Sequence, residues 1–198
     1  MKIGVTSLKG GVGKSTISLH LAAALAQSKP TILVDADPQR SIMAVNQLRE
    51  RDYTYQVQEA PKTHVEAFLR GLKGDCIVID SPPRTDAIAK AVIAASDVIL
   101  VPITPGPFEV LAFDDLAPLL TDVSKVRILL NRTNKTAISK TMREAIQDYG
   151  FTVLKTEIPQ LVDYQESIAE GLGVTEYKAG SVAAQRIRAL IREVMKNG

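Results

Sequence analysis

The residues with the clearest chemical capability lie together in Leu8-Lys9-Gly10-Gly11-Val12-Gly13-Lys14-Ser15-Thr16, a glycine-rich turn between an apolar strand and a helix that opens at Lys14. Against the phosphate-loop pattern G-x-x-x-x-G-K-[ST], Gly13, Lys14 and Ser15 supply the second glycine, the lysine and the hydroxyl, and Leu8 stands where the first glycine would be. Without Cβ atoms, the loop glycines let the backbone turn its N–H groups inward as a nest for phosphate oxygens. The helix start adds its positive end, Lys14 brings a mobile cation to the β- and γ-phosphates, and Ser15 offers a hydroxyl to Mg²⁺.

Carboxylates stand where such a loop would need them. Asp35-Ala36-Asp37-Pro38-Gln39 follows the apolar run Thr31–Val34, and strand C-terminal ends are where open α/β sheets bind ligands. Asp37 and Asp35 are therefore candidates for the metal and the attacking water, with helix capping before Ser41 as the alternative for Asp37. Asp75-Cys76-Ile77-Val78-Ile79-Asp80-Ser81-Pro82-Pro83 reads as a central parallel strand ending in Asp80, a residue able to hold Mg²⁺ through water. Asn131 ends a further strand, Lys125–Asn131. Its amide suits a purine edge, and asparagine is equally an ordinary turn former.

The elements that must position these groups alternate along the chain. Strands are expected at Lys2–Ser7, Thr31–Val34, Tyr53–Gln58 (an edge), Cys76–Asp80, Asp97–Pro102, Lys125–Asn131 and Thr152–Thr156. Helices are expected at Ser15–Gln27, Ser41–Arg51, Thr63–Leu72, Ala87–Ala95, from Phe108 through Leu120, Thr136–Tyr149, Asp163–Glu170 and Val182–Lys196, with Gly171 and Gly173 loosening the chain before the last. The alternation predicts right-handed β-α-β units and a doubly wound, mainly parallel sheet flanked by helices, in a single domain over 1–198.

Composition narrows the field. The chain has 198 residues, 45% of them hydrophobic, and no apolar run near the ~20 residues that span a bilayer. The first strand starts at Lys2, which leaves no room for a signal peptide, and Cys76 is expected in the core of a reduced, cytoplasmic protein. His20 and His64 lack partners at metal-ligand spacing and read as surface or satisfied residues. Residues 1–124 carry 12 Lys/Arg and 14 Asp/Glu, whereas residues 125–198 carry 12 and 8, so the C-terminal third is basic.

The pattern K-G-G-x-G-K-[ST] from Lys9 to Ser15 resembles the deviant Walker A ATPases. D-x-D-P-Q at Asp35–Gln39 is similar to their switch I and D-x-P-P at Asp80–Pro83 to their switch II. Together these motifs make the whole chain look like the short ParA type, without an N-terminal helix-turn-helix. The resemblance implies a P-loop NTPase fold and hydrolysis of ATP with Mg²⁺ in a nucleotide-sandwich homodimer. Catalysis would fall to Lys9, Lys14 and Asp37, with Lys9 reaching the nucleotide of the other subunit. Gly10, Gly11, Val12, Gly13, Thr16 and Pro159 would join Lys9, Lys14 and Ser15 around the nucleotide, while Asn131 and Arg132 meet its base. Ser15, Asp37 and Asp80 would serve the metal. The segment Val101–Ala112 would meet the other subunit.

The last helix sets Ile187, Leu190, Ile191 and Val194 on one face and Arg186, Arg188, Arg192 and Lys196 mostly around the other. A solvated face, non-specific DNA binding and membrane targeting are the three readings. The resemblance favours DNA, with Arg186, Arg188, Arg192, Lys140 and Arg143 as contacts. Membrane anchoring of the MinD kind would need an amphipathic tail beyond this helix. Nitrogenase iron protein shares the loop, but Cys76 precedes the metal aspartate instead of facing a partner. Related amidotransfer and biotin-pathway enzymes need a second substrate pocket with no dedicated segment here. The resemblance further implies a ParB-like or other cargo-linked adaptor and a nucleoid-associated life in the cytoplasm. The cargo would be plasmid or chromosome, or alternatively a protein assembly such as carboxysomes or chemoreceptor clusters.

Overall fold

The computed structural model describes residues 1–7, 9–50, 54–83, 87–106, 118, 120–134 and 137–196. Parallel strands β1 (Lys2–Ser7), β2 (Thr31–Asp35), β3 (Gln56–Glu59), β4 (Cys76–Pro83), β5 (Val98–Ile103), β6 (Val126–Thr133) and β7 (Thr152–Val153) form one sheet in the order β3-β2-β4-β1-β5-β6-β7. A short β8 (Ile158–Pro159) continues along β6 beyond β7. The inner strands read as near-continuous Val/Ile/Leu runs because both faces are covered, as an all-parallel sheet requires.

Side-chain alternation divides those runs between two layers. Val5, Leu33, Val78 and Leu100 point to the face covered by α1 (Lys14–Leu25), while Val34, Ile77 and Ile79 point to the other, covered by α3 (Val65–Gly71) and α4 (Ala87–Ala95). Farther along, Ile99, Val101, Ile128 and Leu130 meet Met142 and Ile146 of α5 (Ala137–Asp148). On the α1 side lie α6 (Val162–Ala169), α7 (Val174–Tyr177) and α8 (Val182–Lys196), the last burying Ile187, Leu190 and Val194 while Ile191 is only partly covered. Cys76 is buried in this core.

Some expected boundaries move, each for a long-range reason. The helix α2 begins at Ser41 but ends at Gln47, where Leu48 and Arg49 donate to carbonyls three residues back. Arg49 then reaches Glu176 in a buried ion pair 2.5 Å long. The strand expected at Thr152–Thr156 stops at Val153, because the Lys155 and Thr156 N–H groups donate to the Glu193 carboxylate of α8 at 2.6 and 2.9 Å. The edge strand β3 runs to Glu59, and Tyr53 lies outside the described residues, as do Leu8, Arg51, Thr136, residues 107–112 of the segment Val101–Ala112 and, apart from Pro118 and Leu120, the expected helix from Phe108 through Leu120.

Gly173 does not loosen the chain. A Cβ built there would stand 2.2 Å from Ala23 Cβ, so the glycine lets the start of α7 press against α1. The Gly173 N–H also donates to Glu176 Oε2 at 2.8 Å. Gly173→Ala is expected to lower unfolding free energy by about 1–3 kcal/mol in denaturant titrations. Gly180→Ala, which meets nothing within 4 Å, should stay within about 0.5 kcal/mol of wild type.

Candidate functional site

The central strand β1 leads directly into the glycine turn, and β4 and β5 flank it. Gly11 and Gly13 adopt φ of 78° and 92°, left-handed values that cost a side-chain-bearing residue about 1–2 kcal/mol. Gly13 caps α1 without a side-chain hydrogen bond, so the first-turn N–H groups face the loop. Ser7 Oγ donates to the Lys9 carbonyl at 2.8 Å and steadies the entry to the turn. The Lys9 side chain is exposed and that of Lys14 buried, so the two lysines occupy different surroundings.

Asp80 is fully buried at the end of β4. Its Oδ2 accepts from Ser15 Oγ at 2.6 Å, and its Oδ1 accepts from Ser18 Oγ at 2.9 Å. Ser18 was not among the sequence candidates. Its signal was spacing alone, since residues three apart on a helix share a face. Burial pushes the Asp80 carboxyl up to about 7 against the opposing pull of the two hydroxyls; nearby Asp35 adds to the rise and Lys14 opposes it. Burial likewise lowers the Lys14 ammonium below its usual range, resisted first by Asp80 and then by Asp37. Lys14 therefore feels the charge of both carboxylates.

Asp35 and Asp80 are register partners on β2 and β4. Asp37, two residues on, is buried and accepts the Gln39 N–H at 2.9 Å, so it shapes its own turn and does not cap α2. Hard oxygen donors converge at Ser15 and Asp80, and the described residues contain no cluster of three or more His, Cys, Asp or Glu. That donor set fits Mg²⁺, which takes one or two protein oxygens and completes its shell with phosphate and water.

Asn131 and Arg132, expected near the base, and Pro159, expected at the nucleotide, come together. Asn131, Arg132 and Pro159 line a cleft of about 140 Å³ with Gly13, Thr16 and Tyr164. Asn131 also donates from Nδ2 to the Val12 carbonyl at 2.7 Å, which ties the end of β6 to the phosphate loop. This contact explains a second demand on Gly13, because a Cβ there would lie 2.5 Å from Asn131 Nδ2. Beneath the cleft His20 is buried; its Nδ1 accepts the Val174 N–H at 3.1 Å and its ring tilts against Tyr164. Its Nε2 is buried without a hydrogen-bond partner among the described residues, so His20 is a core residue only half satisfied, where a surface or satisfied histidine was expected; His64 is exposed at the start of α3.

Comparison with known proteins decides what this arrangement belongs to. Residues 3–174 match the model of the CobQ/CobB/MinD/ParA nucleotide binding domain. The chain belongs to that family. Within the MinD/ParA family it is of the ParA type. It is 30% identical over 207 residues to maintenance of carboxysome distribution protein A of Halothiobacillus neapolitanus, covering 98% of this chain and 95% of the relative. It is also 26% identical to the chromosome-partitioning ATPase Soj of Thermus thermophilus, covering 98% and 95%. In fold it is similar to the septum site-determining protein MinD of Pyrococcus horikoshii solved with Mg-ADP, at a TM-score of 0.74, 19% identity and 98% and 95% coverage. A ParA family ATPase of Chlorobium tepidum gives 0.73 at 21% identity, covering 94% and 95%. No helix among the described residues is long and apolar enough to cross a membrane.

The basic residues expected on this ParA-type surface differ in how much of each is committed to the fold. Arg186 and Arg192 are exposed on α8, whereas Arg188 donates to the Ala179 carbonyl at 2.6 Å. On α5, Lys140 is exposed with Glu144 at 3.9 Å, but Arg143 donates to the Leu154 carbonyl at 2.7 Å and pairs with Glu157 at 2.8 Å.

A raised Asp80 pKa makes a pH prediction for the nucleotide-free protein. The folded state holds the proton more tightly than the unfolded chain, so the stability this group contributes is full below about pH 4 and is lost as pH rises through about 7. Asp80→Asn, which cannot ionise, should therefore be more stable than wild type at pH 8 by about 1–4 kcal/mol. The advantage should shrink toward pH 5 in denaturant titrations.

Proposed function

We propose that the chain is a Mg²⁺-dependent ATPase that closes ATP between two copies of itself, binds DNA without reading its sequence, and positions cargo through an adaptor protein that stimulates hydrolysis. The observation that carries this reading is the contact of Ser15 with Asp80 at 2.6 Å beside buried Lys14, with Asp37 close enough to act on the same ammonium. Phosphoryl transfer asks little covalent work of a protein, so positioning and charge neutralisation carry the rate.

In this reading the loop N–H groups from Gly10 to Thr16 and the Lys14 ammonium hold the triphosphate. Ser15 and Asp80 hold Mg²⁺, which when bound neutralises charge developing on the β- and γ-oxygens. Asp37 orients the attacking water. Asn131, Arg132 and Pro159 receive the adenine, and Lys9, exposed at the loop's rim, reaches the nucleotide held by the second copy. DNA is met by phosphate contacts from Arg186 and Arg192, with Arg188, Lys140 and Arg143 nearer the edge of that role. Localisation on the nucleoid in the cytoplasm follows from that binding.

Two cargo readings share this cycle. The 30% identity to a carboxysome distribution protein supports a protein assembly as cargo, and the 26% identity to Soj supports a chromosome or plasmid.

The division of labour between the two lysines is tested by Lys9→Ala. It is expected to bind AMPPNP with an affinity within about threefold of wild type while losing about 10²–10⁴-fold in kcat, on the scale of removing a charge-stabilising donor. Steady-state turnover and light scattering with AMPPNP and Mg²⁺ give the readout. Wild-type turnover in Lys9→Ala, or a wild-type protein that stays monomeric with AMPPNP, would overturn the reading.

A further inference from the structure

We infer that Asp35 is a positioning residue for hydrolysis, acting by pinning both ends of the turn that carries Asp37. The inference rests on the proposed role of Asp37 and names the group on which that role depends.

The Asp35 side chain is buried, and both carboxylate oxygens take backbone donors from one short segment. Its Oδ1 accepts the N–H of Asp37 at 3.2 Å, and its Oδ2 accepts the N–H of Met43, in the first turn of α2, at 3.0 Å. Between these two anchors the chain folds back on Asp37 itself. Gln39 N–H donates to Asp37 Oδ1 at 2.9 Å and Arg40 N–H to the Asp37 carbonyl at 2.8 Å. Arg40, the residue before α2, has φ of 56° and gives the helix no side-chain cap. A left-handed non-glycine residue persists where its surroundings over-determine it. Here Met43–Asp35 supplies, from upstream of the helix, the cap that Arg40 does not.

The anchor is itself fixed to the metal strand. Asp35 is the register partner of Asp80, Ala36 N–H donates to the Asp80 carbonyl at 2.9 Å, and the Asp35 carbonyl accepts the Ala60 N–H from beside β3 at 2.8 Å. Asp37 is thereby tied to Asp80 through the Asp35 side chain and the Ala36–Asp80 backbone bond, with the Ala60 bond steadying Asp35 from the β3 side. Two backbone donors require an acceptor at each oxygen. An asparagine presents one acceptor and one donor, so it satisfies only one end of the turn and sets its N–H₂ against the other. Displacing a reacting group by about 1 Å can reduce rate about 100-fold.

The test compares Asp35→Asn, Asp37→Ala and the double variant in ATP turnover and AMPPNP binding. Asp35→Asn is expected to lose about 10–100-fold in kcat, with AMPPNP affinity within about threefold of wild type. The double variant should match Asp37→Ala within about twofold, because residues acting through one another are not additive. Wild-type kcat in Asp35→Asn, a parallel loss of AMPPNP affinity, or a full multiplication of the two losses in the double variant would overturn the inference. Wild-type turnover in Asp37→Ala would instead overturn the proposed role of Asp37, and the inference with it. Amide hydrogen exchange on the wild-type protein needs no variant to fold. The Asp37 and Met43 amides should exchange well below unprotected-chain rates, and unprotected exchange at both would contradict the pinned turn.

Discussion

Two hydroxyls from one helix, Ser15 and Ser18, hold the two oxygens of a carboxylate that has no exposure to solvent. An unpaired ion at that depth would cost several kcal/mol, so Asp80 keeps its place only because the start of α1 supplies donors and Lys14 supplies charge. The same contact sets the separation between the phosphate loop and β4. Everything else in the site is arranged around that separation: Asp35 by strand register with Asp80, Asp37 by its tie to Asp35, and Asn131 by its bond to Val12.

The sheet makes this arrangement affordable. With β4 between β1 and β2, the ends of three neighbouring strands deliver the loop, the metal carboxylate and the switch carboxylates to one edge. Packing of α1 against α7 and α8 fixes the helix whose first turn closes the site, and the close approach at Gly173 is part of that packing. A rigid frame suits chemistry in which charges must be aimed before the substrate reacts.

Much of this was legible in the chain because the relevant signals are local. A glycine turn followed by Lys14 and Ser15, and apolar strands ending in Asp35 and Asp80, are patterns within a few residues, and the sheet carries them where expected. Groups chosen by distant partners were not legible. Ser18 matters because of a residue 62 positions away, and Asn131, singled out only for the base, gave no sign of its bond to a carbonyl 119 positions away. The ends of α2 and β7 were set by Glu176 and Glu193, which no periodicity near those ends announces. Even Gly173, read from composition as a loosening residue, is a point of contact with Ala23.

The claim at the centre is that Asp80, with Ser15, is the seat of the metal beside the triphosphate. Calorimetric titration with AMPPNP, with and without Mg²⁺, on wild type and Asp80→Asn addresses it directly. The account predicts that Mg²⁺ tightens binding to wild type by about tenfold or more, a contribution of about 1.4 kcal/mol. In Asp80→Asn that gain should vanish while Mg²⁺-free binding persists. An undiminished gain from Mg²⁺ in Asp80→Asn would contradict it.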